Sequence, residues 1–358
     1  MLGIQTIEQL ATKVGMDEGE LRLLAERPEA FIKRLKVWTP GKKARDVISV
    51  HGDLRTFQLR LHQRLLQAKI HPAPCSHGGV KKRHVVSNAK MHLGQRFGFK
   101  TDIANFFPSI SSARVCRVFL RTLRCSPEVS RLLTTLCTHE FHLALGLITS
   151  PILAEAALQT LDHRLAKLCV LNGMTYSRFV DDITISGSFD LEGSWVPDQV
   201  NQVLRSLGYR EKTDKREFGE FDRGFAVTGV RIVRGHMDVD KDWYAELERS
   251  LTDHRSLACG GEFHGPFLSE SQILGKIHFA CWVNPNRRFS LWRRFRVIRW
   301  DRAFLNALER GVVQEVTKIT PRDAEEPNLE VPLCANVGRK RYEQHIAAHP
   351  ETVTTAPF

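Results

Sequence analysis

The chain has 358 residues, 42% hydrophobic and 26% charged, and its 52 Lys+Arg against 40 Asp+Glu leave a formal net charge of +12. That balance excludes a disordered or collagen-like chain, and the length suits one large domain or two to three subdomains with buried cores. No stretch approaches the ~18 apolar residues of a membrane span and no basic-then-apolar leader opens the chain. The eight Cys form no C-x-x-C pair, so the expectation is a cytoplasmic protein without membrane association.

In chain order, residues 4–38 read as two helices, 4–14 and 17–35, with Pro28 as a break in the second. Thr39-Pro40-Gly41-Lys42-Lys43 reads as a turn. Leu59, Leu61, Leu65 and Leu66 predict a helix over 55–70, stopped by His71-Pro72-Ala73-Pro74. Ser76-His77-Gly78-Gly79 reads as a flexible loop leading into Lys81-Lys82-Arg83. Alternation at Phe97, Phe99 and Thr101 predicts a strand over 95–103 that runs into Asp102. Helices are expected over 112–123 and 130–138, then a longer apolar one over 150–168 opened by Ser150-Pro151. Two β-rich runs, 175–180 and 183–186, flank Asp181-Asp182 and read as a hairpin. A helix over 197–207, a strand over 225–233 and helices over 242–253, 269–282 and 291–308 follow, with a loosely ordered tail after Pro321.

The positive charge is concentrated. From Phe31 to Lys100 there are 16 Lys+Arg and only two acids, Asp46 and Asp53, a local charge of +14. A second cluster, Arg287, Arg288, Arg293, Arg294, Arg296, Arg299 and Arg302, is interleaved with Phe289, Trp292, Phe295 and Trp300. Basic side chains alternating with aromatics suit a phosphate backbone with stacked bases. The competing reading is a pair of solvated helix faces whose aromatics turn inward, since Leu291, Phe295 and Ile298 fall near helical spacing.

The sharpest feature is Phe179-Val180-Asp181-Asp182 between apolar strands. Two acids at such a hairpin tip are costly unless a cation sits there, although a hydrated turn accommodates Asp equally well. Asp102 ends another apolar strand and has the same bland alternative. Taken together, Asp102 and Asp181 on adjacent strands suit two Mg²⁺ ions ~3.5–4 Å apart, the arrangement used for in-line phosphoryl displacement. His139-Glu140-Phe141-His142 lacks the H-E-x-x-H spacing, so no zinc site is expected there.

The segments TDIANFFPSI, GLITSP and YSRFVDDITIS resemble, in order, motifs A, B and C of reverse transcriptases, the bacterial retron-type and defence-associated branch in particular. Asn88-Ala89-Lys90-Met91-His92 resembles the element that precedes motif A in retron enzymes, Val227-Thr228-Gly229 the one after motif D, and the segment from Gly275 to Asn284 the start of their thumb.

The resemblance implies an α+β right-hand polymerase with fingers, an antiparallel palm sheet and a helical thumb. It divides the chain into an N-terminal helical extension (1–38), fingers and palm (39–240), a basic thumb (241–320) and a tail (321–358). It implies catalytic, metal-binding Asp102, Asp181 and Asp182, with the Ile103 carbonyl as a further metal contact and Mg²⁺ (or Mn²⁺ as substitute) as cofactor. Lys81, Arg83, Phe107, Gly146, Ser150 and Lys212 would contact the nucleotide, Phe107 as a gate against the ribose 2′-OH. Arg287, Arg288, Trp292, Arg293 and Arg296 would contact nucleic acid.

The implied partners are dNTPs, a structured non-coding RNA serving as template and primer, its cDNA, and a separate effector protein in antiphage defence. Two departures matter: Leu145 stands where motif B usually carries glutamine, and Phe179-Val180 replaces the usual Tyr-Ala. They keep open a polymerase of repetitive or untemplated DNA, and beside it an RNA-binding, maturase-like scaffold.

Overall fold

The computed structural model describes residues 2–38 and 44–313. The expected 39–43 turn and the tail from 321 therefore lie outside the described residues. The chain divides into two units, one ending at Met237 and one beginning at Asp238.

The first unit opens with two capped helices, Ile7–Val14 and Glu18–Glu26. Thr6 caps the first and Gly15, at φ 70°, closes it; Asp17 and Glu20 form a capping box on the second. The second helix does not continue to residue 35. Proline at 28 restricts Arg27 and supplies no N–H, and a 3₁₀ turn over Pro28–Phe31 leads into strand β1 (Ile32–Val37) instead. β1 pairs antiparallel with β2 (Arg45–Val50), Ile32 opposite Val50 and Val37 opposite Arg45, so this hairpin spans the expected 38/39 boundary.

The central sheet is four-stranded, in the order β4 (Thr175–Phe179), β5 (Asp182–Gly187), β3 (Phe97–Ile103), β6 (Glu211–Glu220), all antiparallel. The Ser150–Leu171 helix packs against β4 with Leu153, Leu158, Leu161 and Leu165 fully buried, in one core with Phe99, Ile183 and Ile185. Burial of such side chains at about 25 cal/mol per Å² is what fixes the sheet on its helix layer. β7 (Ala226–Val227), β8 (Val230–Val233) and β9 (His236–Val239) form a small sheet, with the unit division falling inside β9. The expected strand over 225–233 is split because Thr228 and Gly229 both take positive φ and turn the chain.

The second unit is helical: Lys241–Ala258, Glu270–Val283, Arg288–Arg296 and Trp300–Glu309. The single helix expected over 291–308 is broken at 297–299, where Ile298 buries and Phe295 packs on Trp300 with ring centroids 5.1 Å apart. Leu247, Leu251, Ile273, Ile277, Leu291, Ala303 and Ala307 form its interior. Among the described residues no helix is long and apolar enough to cross a membrane.

Candidate active site

β3 and β5 end side by side. Asp102 is directly opposite Asp182 in the ladder, and the Ile103 N–H donates to the Asp181 carbonyl at 3.1 Å. The antiparallel register thus brings together three acids separated by some eighty residues of chain. Val180 and Asp181 form the two-residue loop between β4 and β5, since Phe179 pairs with Asp182. Val180 has φ 61°, a left-handed conformation that hairpin loops usually assign to glycine and that costs a β-branched residue roughly 1–2 kcal/mol.

The acids form part of the lining of a cleft of about 1060 Å³, together with Phe106, Phe107, Leu145, His139 and His142. Asp102 is almost fully buried and Asp181 and Asp182 are half-buried. Burial and then the neighbouring Asp102 carboxylate push Asp182 up to about 8, and burial raises Asp181 as well. Asp102 is itself held below the usual carboxylate range. Burial opposes this, but a hydrogen bond from Asp182 and the ammonium of Lys215 outweigh it. The two facing carboxyls thus oppose each other's ionisation, as like charges in close contact do.

Among the described residues, five cationic side chains line the same cleft. Arg34, Lys36 and Arg45 come from the β1–β2 hairpin, and Lys212 and Lys215 from β6. Lys212 sits opposite Asp102 in the β3–β6 register, which slips between Lys100 and Asp102. Lys215 forms the ion pair with Asp102, and Arg34 pairs with Glu140. Sequence reasoning singled out Lys212 and missed Arg34, Lys36, Arg45 and Lys215. The alternating charges of β1 and β6 held the signal, but neither segment looked like a strand.

Phe107 lines the cleft with its ring 5.0 Å from that of Phe106. Gly146, expected at the nucleotide, is not among the residues lining the cleft and packs instead on β2: at φ 103°, a Cβ there would stand 2.0 Å from the Ile48 carbonyl oxygen. The neighbouring Leu145 carbonyl accepts the Ile48 N–H at 2.8 Å, tying this loop to β2, and the Leu145 side chain lines the cleft.

Three other expected nucleotide contacts also stand elsewhere. Ser150 is fully buried at the first turn of its helix. Arg83 turns inward, its guanidinium donating to the carbonyls of Ala73 and Ser76, and is spent on shaping that loop. Lys81 is exposed and does not line the cleft. The segment 76–79, expected to be flexible, is held: Ser76 bridges to Arg178, and the His77 N–H donates to the Arg178 carbonyl at 2.8 Å.

In the second unit, Arg288, Arg293 and Arg296 are exposed, Arg296 lying 5.6 Å from the Trp292 ring centroid. Phe289 is 79% exposed while Leu291 and Phe295 face the core, so the interleaved pattern resolves into one buried and one basic, aromatic face. Arg287 is instead paired with Asp238 at 2.7 Å and stacked on Tyr244.

Residues 40–232 match the family described as "Reverse transcriptase (RNA-dependent DNA polymerase)". The chain is 32% identical over 315 residues to the retron Mx65 reverse transcriptase of Myxococcus xanthus, covering 81% of this chain and 71% of that one. It is 28% identical over 247 residues to the retron Se72 reverse transcriptase of Salmonella heidelberg (strain 579083-10), covering 67% of this chain and 65%, just under two thirds, of the relative. The retron Ec86 reverse transcriptase of Escherichia coli is 26% identical over 246 residues, 67% of this chain and 75% of its own. A family match over more than half the chain, running from the β1–β2 connection through β8 and so across all three acids, makes this chain a member of the reverse transcriptase family, of the bacterial retron type.

Proposed function

We propose that the chain is a cytoplasmic RNA-directed DNA polymerase that adds deoxynucleotides to a primer end on a structured non-coding RNA, within a retron-type antiphage system whose effector is a separate protein. The observation that carries this reading is the meeting of Asp102, Asp181 and Asp182 on one face of a cation-lined cleft.

Among the described residues no ready-made trio of acid, His or Cys ligands surrounds a common point. Asp102 and Asp182 hydrogen-bond each other, and Lys215 lies against Asp102. The donor chemistry nevertheless fits Mg²⁺: the carboxylates supply hard oxygen ligands, and their mutual repulsion disfavours full ionisation without a cation. Asp102, Asp181 and Asp182 would hold the metal, with the Ile103 carbonyl beside them. When bound, two such ions would activate the attacking hydroxyl and stabilise the leaving pyrophosphate.

The chain's own groups do the rest. Lys212, Lys215 and Arg45 offer positive charge to the triphosphate, which binds as a polyanion in a cleft of lowered dielectric. Phe107 opposes a ribose 2′-OH by bulk. The exposed arginines and aromatics of the Arg288–Arg296 helix suit a phosphate backbone with stacked bases. Leu145, apolar in the cleft wall, favours a second reading in which template dependence is relaxed and the DNA is repetitive.

Sequencing nucleic acid that co-purifies with wild type and with Asp181→Asn tests the proposal. A discrete DNA joined to one structured RNA, absent from the variant, is expected. Repetitive DNA, also absent from the variant, would favour the second reading. The same RNA and no DNA from both proteins would overturn polymerase function and leave an RNA-binding scaffold.

A further inference from the structure

Arg178 lies in β4, three residues before Asp181, and is fully buried. Its guanidinium uses all five N–H donors. Nε and Nη2 donate to Asp162 at 2.8 Å each, Nη1 and Nη2 to Glu155 at 3.0 and 2.9 Å, and Nη1 to the Val180 carbonyl at 2.7 Å. Asp162 and Glu155 are also buried, two turns apart on the Ser150–Leu171 helix, and Asp162 accepts the Tyr176 hydroxyl at 2.8 Å. The Arg178 backbone is fixed as well: its N–H donates to the Cys75 carbonyl and its carbonyl accepts from His77, both at 2.8 Å.

Such a cluster is a poor device for stability, because an apolar group of similar volume commonly serves a core as well or better. What an apolar side chain could not do is make the fifth bond. That bond leaves the acids and ends on Val180, the left-handed residue joined directly to Asp181. From the other side Gly78 lies so close that a Cβ would stand 2.3 Å from the Val180 nitrogen and 2.8 Å from the Phe179 carbonyl carbon. The turn bearing two acids is thereby gripped between a buried guanidinium and a glycine backbone.

We propose that Arg178 is a positioning residue for synthesis: bonded to Asp162 and Glu155, it holds the Val180 carbonyl, keeps Val180 left-handed, and so sets Asp181 and Asp182 against Asp102. The inference rests on the reading of those acids as the reacting-site ligands. Arg178 touches no substrate and acts through the turn.

The test compares nucleotide addition by the full chain carrying Arg178→Met with Asp162→Asn and Glu155→Gln, so that no unpaired charge is buried. Circular dichroism reports folding. The expected result is a kcat loss on the order of 10²-fold with the nucleotide KM within about twofold, the pattern of misplaced reacting groups. Adding Val180→Gly should restore about tenfold of that loss, because glycine adopts positive φ without help from the arginine. Should the triple variant not fold, Arg178→Lys keeps the charge but cannot span both acids and the carbonyl, and the same kcat loss with the same glycine rescue is expected.

A folded variant with unchanged kcat, or a loss that Val180→Gly leaves untouched, overturns the positioning role. Activity surviving in Asp181→Asn would instead overturn the reading of the acids, independently of Arg178.

Discussion

Phe107 reaches the cleft because the chain turns immediately after Asp102: Asn105 takes φ 48°, and the Ser109 N–H donates back to the Asn105 carbonyl at 2.8 Å. Phe106 is then buried while Phe107 stays half-exposed against it. If that ring excludes the ribose hydroxyl by volume, Phe107→Ala removes the obstacle and leaves the acids in place. The ratio of kcat/KM for ribonucleotides to that for deoxynucleotides should rise by on the order of tens of fold, within what pocket shape alone provides. Primer extension with each nucleotide class measures it, and an unchanged ratio would return Phe107 to simple packing. The acids stood out as carboxylates at the ends of apolar strands, but their grouping as one set and the place of Phe107 beside them came from the resemblance to reverse transcriptases. Arg178 was legible in neither way, since a lone arginine in an apolar run gives no sign that acids sixteen and twenty-three positions earlier will neutralise it.

The strands that carry the acids were legible because their apolar periodicity survives burial on both faces; β6 was not. Its sequence, EKTDKREFGE, is charged at most positions and carries no apolar alternation to mark a strand. Polar pairing at the edge of the sheet favours the strand instead. Glu211 accepts from Thr101 across the ladder and from Arg216, while Lys100 pairs with Glu217. A different polar contact fixes the segment that precedes β3. His92 is fully buried, its ring nitrogens 2.6 Å from the Ser186 hydroxyl and 2.7 Å from that of Ser177, so it ties this segment to β4 and β5. Burial, with a smaller contribution from His77, depresses His92 to about 3, and burial followed by Arg83 depresses His77 to about 4.

Both rings are therefore neutral in the fold, whereas an unfolded histidine titrates near 6.5. Their stabilising contribution is complete above that value and is lost as pH falls from about 6.5 toward 4 and 3, at up to roughly 1.4 kcal/mol per pH unit for each ring. Urea unfolding at several pH values between 4.5 and 7 should show this slope. In His92→Gln the slope should fall by one proton's worth, and an unaltered slope would mean that His92 is protonated in the folded state.

Across the whole chain, the positive charge is concentrated in two stretches with different fates, the remainder being net acidic. In the first, cations divide between the cleft (Arg34, Lys36, Arg45) and structural duty, as with Arg83 on loop carbonyls. In the second, Arg287 is spent on Asp238, Arg294 reaches Glu248 at 3.3 Å, and Arg288, Arg293 and Arg296 remain directed to solvent beside Phe289 and Trp292. Counting arginines in the sequence therefore overstates the surface available to a polyanion, and only the structure separates those already paired. If the exposed ones contact RNA phosphates, each releases a counterion on binding. Arg293→Gln with Arg296→Gln should then weaken binding to a structured RNA and flatten the slope of log K against log salt by roughly 0.7 to 0.9 per arginine. Arg287→Gln should instead lower thermal stability and leave that slope nearly unchanged, because its partner is a carboxylate of the same unit. Filter binding across a salt series with both variants separates the two cases. Equal slopes in wild type and the double variant would show that the basic face of this helix is solvated and that RNA is held elsewhere.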